Sequence, residues 1–239
     1  MNDPHPTEEA GLLERSIRYY DRWYAGPPSP PRDFGAYLDL LRPLPPGGAW
    51  LDVGCGPGFM LREVRSLAGW RAVGVDLSLR ALSSAGNLAG SAHALSADGE
   101  ALPFPDATFD VVSALGTLEH FPSPERGARE IARVLKPRGR ALVVVPNERF
   151  LGWQIRGMAG TEQRDNLELL LDRRGWGRLL GAAGLDVTRV GKDPWHTKPA
   201  PAPVRWLRRL ANALIPVGRN YQFAFVSVRA EVVPHGGPD

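Results

Sequence analysis

The chain has 239 residues, 43% of them hydrophobic, enough for one well-cored α/β domain with a cap. Its 29 basic residues against 26 acidic ones, a net charge of +3, make a nearly balanced surface rather than a nucleic-acid footprint. The 27 glycines and 23 prolines gather at turns and chain ends without a period, which excludes collagen-like and low-complexity chains, and the lone Cys55 excludes an intramolecular disulfide.

Residues 1 to 10 read as a frayed polar tail, and Leu12 to Tyr24 carries apolar positions at helical spacing. A stiff Gly26-Pro27-Pro28-Ser29-Pro30-Pro31 linker leads to a short helix, Phe34 to Leu41. Short apolar runs then alternate with helical stretches. The strands are Ala49–Val53, Ala72–Val75, Ala92–Leu95, Phe109–Ala114 and Arg140–Val145, and the helices between them are Met60–Leu67, Leu79–Leu88 and Pro124–Leu135. A helix-compatible run from Asn166 to Ala183, capped by Gly184, precedes two final strands, Leu185–Val190 and Tyr221–Val232. This order predicts an α/β fold: a doubly wound, seven-stranded, mostly parallel sheet with helices on both faces. Residues 1–44 are expected to form an N-terminal helical cap and residues 45–239 the sheet domain, with late insertions near 147–170 and 192–220, the second of a length that marks a lid or binding element more often than a plain connection.

Asp52-Val53-Gly54-Cys55-Gly56-Pro57-Gly58 follows an apolar strand and opens a helix, so its glycines let the main chain come close to a ligand. The next strand ends at Asp76, where doubly wound folds place a carboxylate that accepts from a ribose diol. Position three after Gly56 is Phe59, so the third glycine of a dinucleotide fingerprint is missing.

These residues resemble the class I S-adenosylmethionine-dependent methyltransferases, in particular the group similar to ubiquinone and menaquinone methylases. The likeness runs over residues 48 to 147. It continues through Ala97-Asp98-Gly99-Glu100-Ala101-Leu102-Pro103-Phe104, Leu118-Glu119-His120-Phe121 and Arg133-Val134-Leu135-Lys136-Pro137-Arg138-Gly139. The resemblance implies a Rossmann-like domain with S-adenosylmethionine as methyl donor and S-adenosylhomocysteine as product. It sets Asp52, Gly54, Cys55, Gly56 and Gly58 around the methionine moiety and Asp76 with Leu77 at the ribose. Asp98, Gly99 and Glu100 fall at the adenine, and Leu115, Gly116 and Thr117 beside the sulfonium. Tyr20 and Tyr24 of the cap helix either close over the cofactor or pack as an aromatic patch.

Methyl transfer from a sulfonium needs alignment more than a nucleophile, but a hydroxyl acceptor benefits from a base. His120, after the fourth strand, and His196, in the late insertion, are the candidates; each also has a plain structural reading, as a loop-holding or surface side chain. No metal-ligand cluster is evident. The expected acceptor is a hydroxyl of a natural product or sugar, in secondary metabolism. The alternatives are a quinone or lipid methylated at a membrane surface, for which the basic amphipathic run Val204 to Ile215 speaks, and a cofactor-binding regulator without turnover. The chain lacks a signal-like start and any apolar run near the roughly 20 residues that cross a bilayer, so a cytoplasmic monomer or homodimer, with at most weak membrane contact and no nucleic-acid partner, is expected.

Overall fold

The computed structural model describes residues 6–26, 34–89, 93–150, 152–153, 167–194 and 214–230. After the cap helices α1 (Pro6–Trp23) and α2 (Gly35–Leu40), the chain alternates β1 (Gly48–Val53), α3 (Phe59–Arg65), β2 (Trp70–Asp76), α4 (Leu79–Ala89) and β3 (His93–Ser96). It continues through β4 (Phe109–Leu115), α5 (Pro124–Val134), β5 (Leu135–Pro146), α6 (Arg173–Ala182), β6 (Leu185–Lys192) and β7 (Gln222–Arg229). The sheet order is β3-β2-β1-β4-β5-β7-β6. Pairs from β3 to β5 are parallel, while β7 runs antiparallel to both β5 and β6. This is the Rossmann-like, doubly wound arrangement expected from the alternation of elements.

Apolar runs without polar gaps suit strands covered on both faces, and side chains along them alternate between two cores. Leu51, Val53, Val143 and Val145 join Ile131, Trp176 and Phe225 on one face. Trp50, Leu142 and Val144 join Tyr37, Leu61 and Val64 on the other. Strand order reverses between β1 and β4, so their carboxyl ends diverge into a crevice.

Three expectations change. The first helix, expected from Leu12 with residues 1 to 10 as a tail, begins at Pro6, a residue type suited to a first helical turn. The run from Asn166 is helical only from Arg173: Asp172 caps that helix by accepting from Gly175 N at 2.8 Å, and the backbone before it is engaged elsewhere, Leu169 N donating to Glu119 O at 2.7 Å. The fifth strand starts at Leu135, five residues early, because Leu135 already pairs with Phe109 while Arg138 takes a left-handed turn at φ 61°.

Arg133, from the last turn of α5, fastens the loop after β3: it donates to Phe104 O and Leu102 O at 2.8 and 3.0 Å and pairs with Glu130 and Asp106 at 2.7 Å. Trp176 locks α6 onto the sheet, fully buried, with its indole N–H donating to Pro146 O at 3.0 Å. Trp176→Ala is expected to cost about 3–5 kcal/mol, read by urea unfolding.

Candidate functional site

The turn that follows β1 exists because its glycines take backbone angles closed to other residues: Gly54, Gly56 and Gly58 have φ of 69°, 51° and 82°. A Cβ on Gly54 would lie 2.4 Å from Thr117, and one on Gly56 would lie 2.8 Å from the Tyr24 hydroxyl. The turn is thus pressed between the loop after β4 and the end of the cap helix. Asp76, at the end of β2, holds it from the side, accepting from Gly56 N at 2.8 Å and from Ser78 N at 2.9 Å. Ser78 in turn donates its hydroxyl to Asp21 of α1 at 2.6 Å.

Together these elements enclose a cleft of about 650 Å³, open mouth included, at the carboxyl ends of β1, β2 and β4. Of the residues expected at the site, Tyr20, Tyr24, Gly54, Asp76, Leu77, Asp98, Gly99, Gly116, Thr117 and His120 line it. Asp52, Cys55, Gly56, Gly58, Glu100 and Leu115 are not part of that lining. Asp52 is buried and accepts from the Ser113 hydroxyl at 2.6 Å, which itself accepts from Trp50 Nε1 at 2.8 Å. Cys55 is buried against the second core. Glu100 turns away to accept from Ser123 N at 2.7 Å and to pair with Arg126 at 2.8 Å. His196 falls outside the described residues, as do Trp195, Trp206 and the basic run around Arg205. Trp153 is buried against Phe150 and Tyr221, with ring centroids 5.7 and 5.9 Å away.

Sequence reasoning missed the pieces that carry no motif. Leu13 and Ser16 line the cleft from α1, and Asp21 and Ser113 act from behind; Phe121, within the motif Leu118-Glu119-His120-Phe121 but given no role, fills the space where a Cβ on Gly99 would meet its ring at 2.3 Å. Helical spacing from Tyr20 and Tyr24 places Leu13 and Ser16 on the same stripe, which is the one signal that could have found them.

The electrostatics of the cleft are one-sided. Burial pushes the Asp52 carboxyl up to about 7 against the pull of the Ser113 hydrogen bond, with Asp76 adding to the rise. Burial likewise raises Asp76, despite its backbone donors, and takes Glu119 up to about 8. Among the described residues lining the cleft there is no lysine or arginine. The described lining thus offers a pyrophosphate no cationic side chain, and it holds Asp76, backed by Asp52, whose buried carboxyls a cation would relieve. An uncharged adenosine joined to a chain that carries ammonium and sulfonium groups fits this donor set. No three of the described His, Cys, Asp and Glu residues group as metal ligands.

His120 is largely buried, and its Nδ1 lies 2.6 Å from Leu167 O. A carbonyl only accepts, so Nδ1 carries the hydrogen and Nε2 keeps its lone pair. Burial lowers the imidazole pKa, with the Leu167 carbonyl opposing, so the ring stays neutral at neutral pH. The Tyr20 ring meets it edge-on with centroids 5.9 Å apart.

Residues 51–143 match the family described as "Methyltransferase domain". The chain is 36% identical over 139 residues to 27-O-demethylrifamycin SV methyltransferase of Amycolatopsis mediterranei, covering 56% of this chain and 46% of that one. It is 37% identical over 112 residues to 2-methyl-6-phytyl-1,4-hydroquinone methyltransferase of Synechocystis, covering 46% and 35%. The chain thus spans about half or less of the length of these curated relatives. Among solved structures, an S-adenosylmethionine dependent methyltransferase from Mesorhizobium loti superposes with a TM-score of 0.62 at 18% identity, over 81% of this chain and 97% of that one. An S-adenosylmethionine-dependent methyltransferase from Methanosarcina mazei gives 0.60 at 18%, over 81% and 98%. These two likenesses establish the fold.

The raised carboxyls have a measurable consequence in the free protein. Between the ordinary carboxylate range and the raised values of about 7 for Asp52 and about 8 for Glu119, the unfolded chain has lost protons that the native chain retains. Stability should therefore fall as pH rises through that window, by up to about 1.4 kcal/mol per pH unit for each group. Urea unfolding of wild type against the Asp52→Asn, Glu119→Gln double variant at pH 5, 6, 7 and 8 checks this: the fall should be smaller in the variant.

Proposed function

We propose that the chain carries a class I S-adenosylmethionine-dependent methyltransferase domain and methylates a hydroxyl of a small molecule, a natural product or a sugar. The observation that carries this reading is the cleft itself, lined by the buried Asp76 and by Asp98, backed by the buried Asp52, and free of lysine and arginine among its described lining. When bound, S-adenosylmethionine supplies an electrophilic methyl on a sulfonium whose sulfur leaves as a neutral thioether.

The residues of this chain do the rest by position. Asp76, with lone pairs left on oxygens that already hold Gly56 N and Ser78 N, accepts from the ribose hydroxyls. Asp98 and the Gly99 backbone meet the adenine edge, with the Phe121 ring beside them. Asp52 contributes negative charge from behind the turn toward the ammonium group. Gly116 and Thr117 flank the reacting methyl, and α1 covers the donor with Tyr20 and Tyr24, excluding water. His120 Nε2 receives the proton of the acceptor hydroxyl as its oxygen bonds to the methyl carbon.

Similarity to the Synechocystis hydroquinone enzyme and, at 37% identity over 109 residues, to sterol 24-C-methyltransferase erg6 of Schizosaccharomyces pombe favours a second reading, C- or O-methylation of a quinone or lipid. A carbon acceptor would not need the lone pair of His120 in the same way, so the two readings part at that residue. A cofactor-binding regulator without turnover is the outcome if no acceptor is ever methylated.

Calorimetric titration with S-adenosylhomocysteine, alongside NAD and the Asp76→Ala variant, tests the donor. Binding of the adenosyl ligand that Asp76→Ala weakens by about tenfold or more, with no binding of NAD, is the expected result; a folded protein that binds neither ligand defeats the reading. With any hydroxylated acceptor that turns over, His120→Gln should lower kcat by about 10²–10⁴-fold while leaving S-adenosylhomocysteine affinity within a few-fold. The rate of the wild type should fall only below the ordinary histidine range, because burial depresses the His120 pKa.

A further inference from the structure

Two side chains just behind the cleft are not used by this mechanism. Glu119, in the turn after β4, and Gln222, the first residue of β7, are 2% and 6% exposed. They converge on Gly116, where a Cβ would lie 3.7 Å from Glu119 Oε1 and 4.0 Å from Gln222 Nε2. Glu119 Oε1 is also 3.9 Å from His120 Nε2. Glu119 Oε2 and Gln222 Oε1 are both buried and lack a hydrogen-bond partner among the described residues. Buried oxygens left without a donor reduce stability, and one of these two groups, through Glu119 Oε1, lies near the lone pair of His120, which points to what would satisfy them.

We infer that Glu119 and Gln222 form a subsite for a second hydroxyl of the acceptor, so that the molecule methylated carries two hydroxyls on neighbouring carbons, one facing His120 and the other facing this pair. The inference rests on the methyl-transfer reading above. A hydroxyl both donates and accepts, so it matches Glu119 in either protonation state and the Gln222 amide from either end. A carbonyl or an ether offers only lone pairs, so it can accept from a protonated Glu119 but leaves the Gln222 oxygen without a donor. Burial holds the Glu119 carboxyl up to about 8, which keeps the subsite uncharged at neutral pH and suited to a hydroxyl more than an ammonium group.

The probes are catechol, phenol and 2-methoxyphenol, titrated by calorimetry into the full chain saturated with S-adenosylhomocysteine. Catechol should bind about tenfold more tightly than the other two, the worth of one added hydrogen bond. Glu119→Met and Gln222→Met should each reduce catechol to the affinity of phenol, while Glu119→Gln retains most of the preference and S-adenosylhomocysteine affinity is unchanged. Both methionine variants should unfold at the wild-type temperature or a few degrees above it, about 2–4 °C, because they remove an unsatisfied buried oxygen. A pair with only a structural role would instead lower that temperature. Equal affinity for catechol and phenol, or no binding of any probe to protein that binds S-adenosylhomocysteine, overturns the inference and leaves the methyl-transfer reading standing. Failure to bind S-adenosylhomocysteine overturns both.

Discussion

The Asp76 carboxylate joins three parts of the chain that are distant in sequence. One oxygen fixes the glycine turn through Gly56 N, the other fixes the start of the next helix through Ser78 N, and the Ser78 hydroxyl passes the restraint on to Asp21 in the cap. Glycines that can adopt left-handed angles can also adopt many others, so such a turn is defined only if something holds it. The fixed carboxylate supplies that hold and also orients the cap helix over the cleft. A polar group performing this task inside a protein must itself be satisfied, which the backbone donors at Gly56 and Ser78 accomplish.

Much of the sheet was legible because the chain obeys a simple rule: apolar strands alternate with amphipathic helices, and turn residues separate them. The first glycine turn and Asp76 were legible for the same reason, since their chemistry is local and depends on spacing along one strand-to-helix connection. What lay beyond sequence reasoning was tertiary. Nothing near Ser113 announces that it will bridge Trp50 and Asp52, and nothing near Asp21 announces a partner 57 residues on. Glu100 sits within a family-like stretch and was assigned to the cofactor, yet an arginine and an amide on α5 and its approach draw it away from the cleft. The start of β5 was missed because Pro137, Arg138 and Gly139 interrupt the apolar run, yet the strand pairs on both sides of them, with Arg138 at φ 61° between.

The charge pattern follows from this architecture. Asp52, Asp76 and Glu119 each sit at or just beyond a strand end, where the parallel strands place functional groups, and each is deeply buried. Burial raises all three carboxyls, with Asp76 adding to the rise at Asp52, so the free protein keeps protons at Asp52 and Asp76 that a cationic ligand would displace. Ligand affinity and proton uptake are therefore two readings of one set of carboxyls.

The Phe121 ring leaves a different mark. It occupies the space that side chains at Gly99 and at Gly127 would need, with a built Cβ at either position 2.3 Å from the ring. One aromatic thus forbids a side chain at two sites on different elements. Any lineage that drifts at these positions must shrink residue 121 first, and restoring the phenylalanine becomes impossible once either glycine has gained a methyl. The order of mutation, and not only its content, is written into this corner of the molecule.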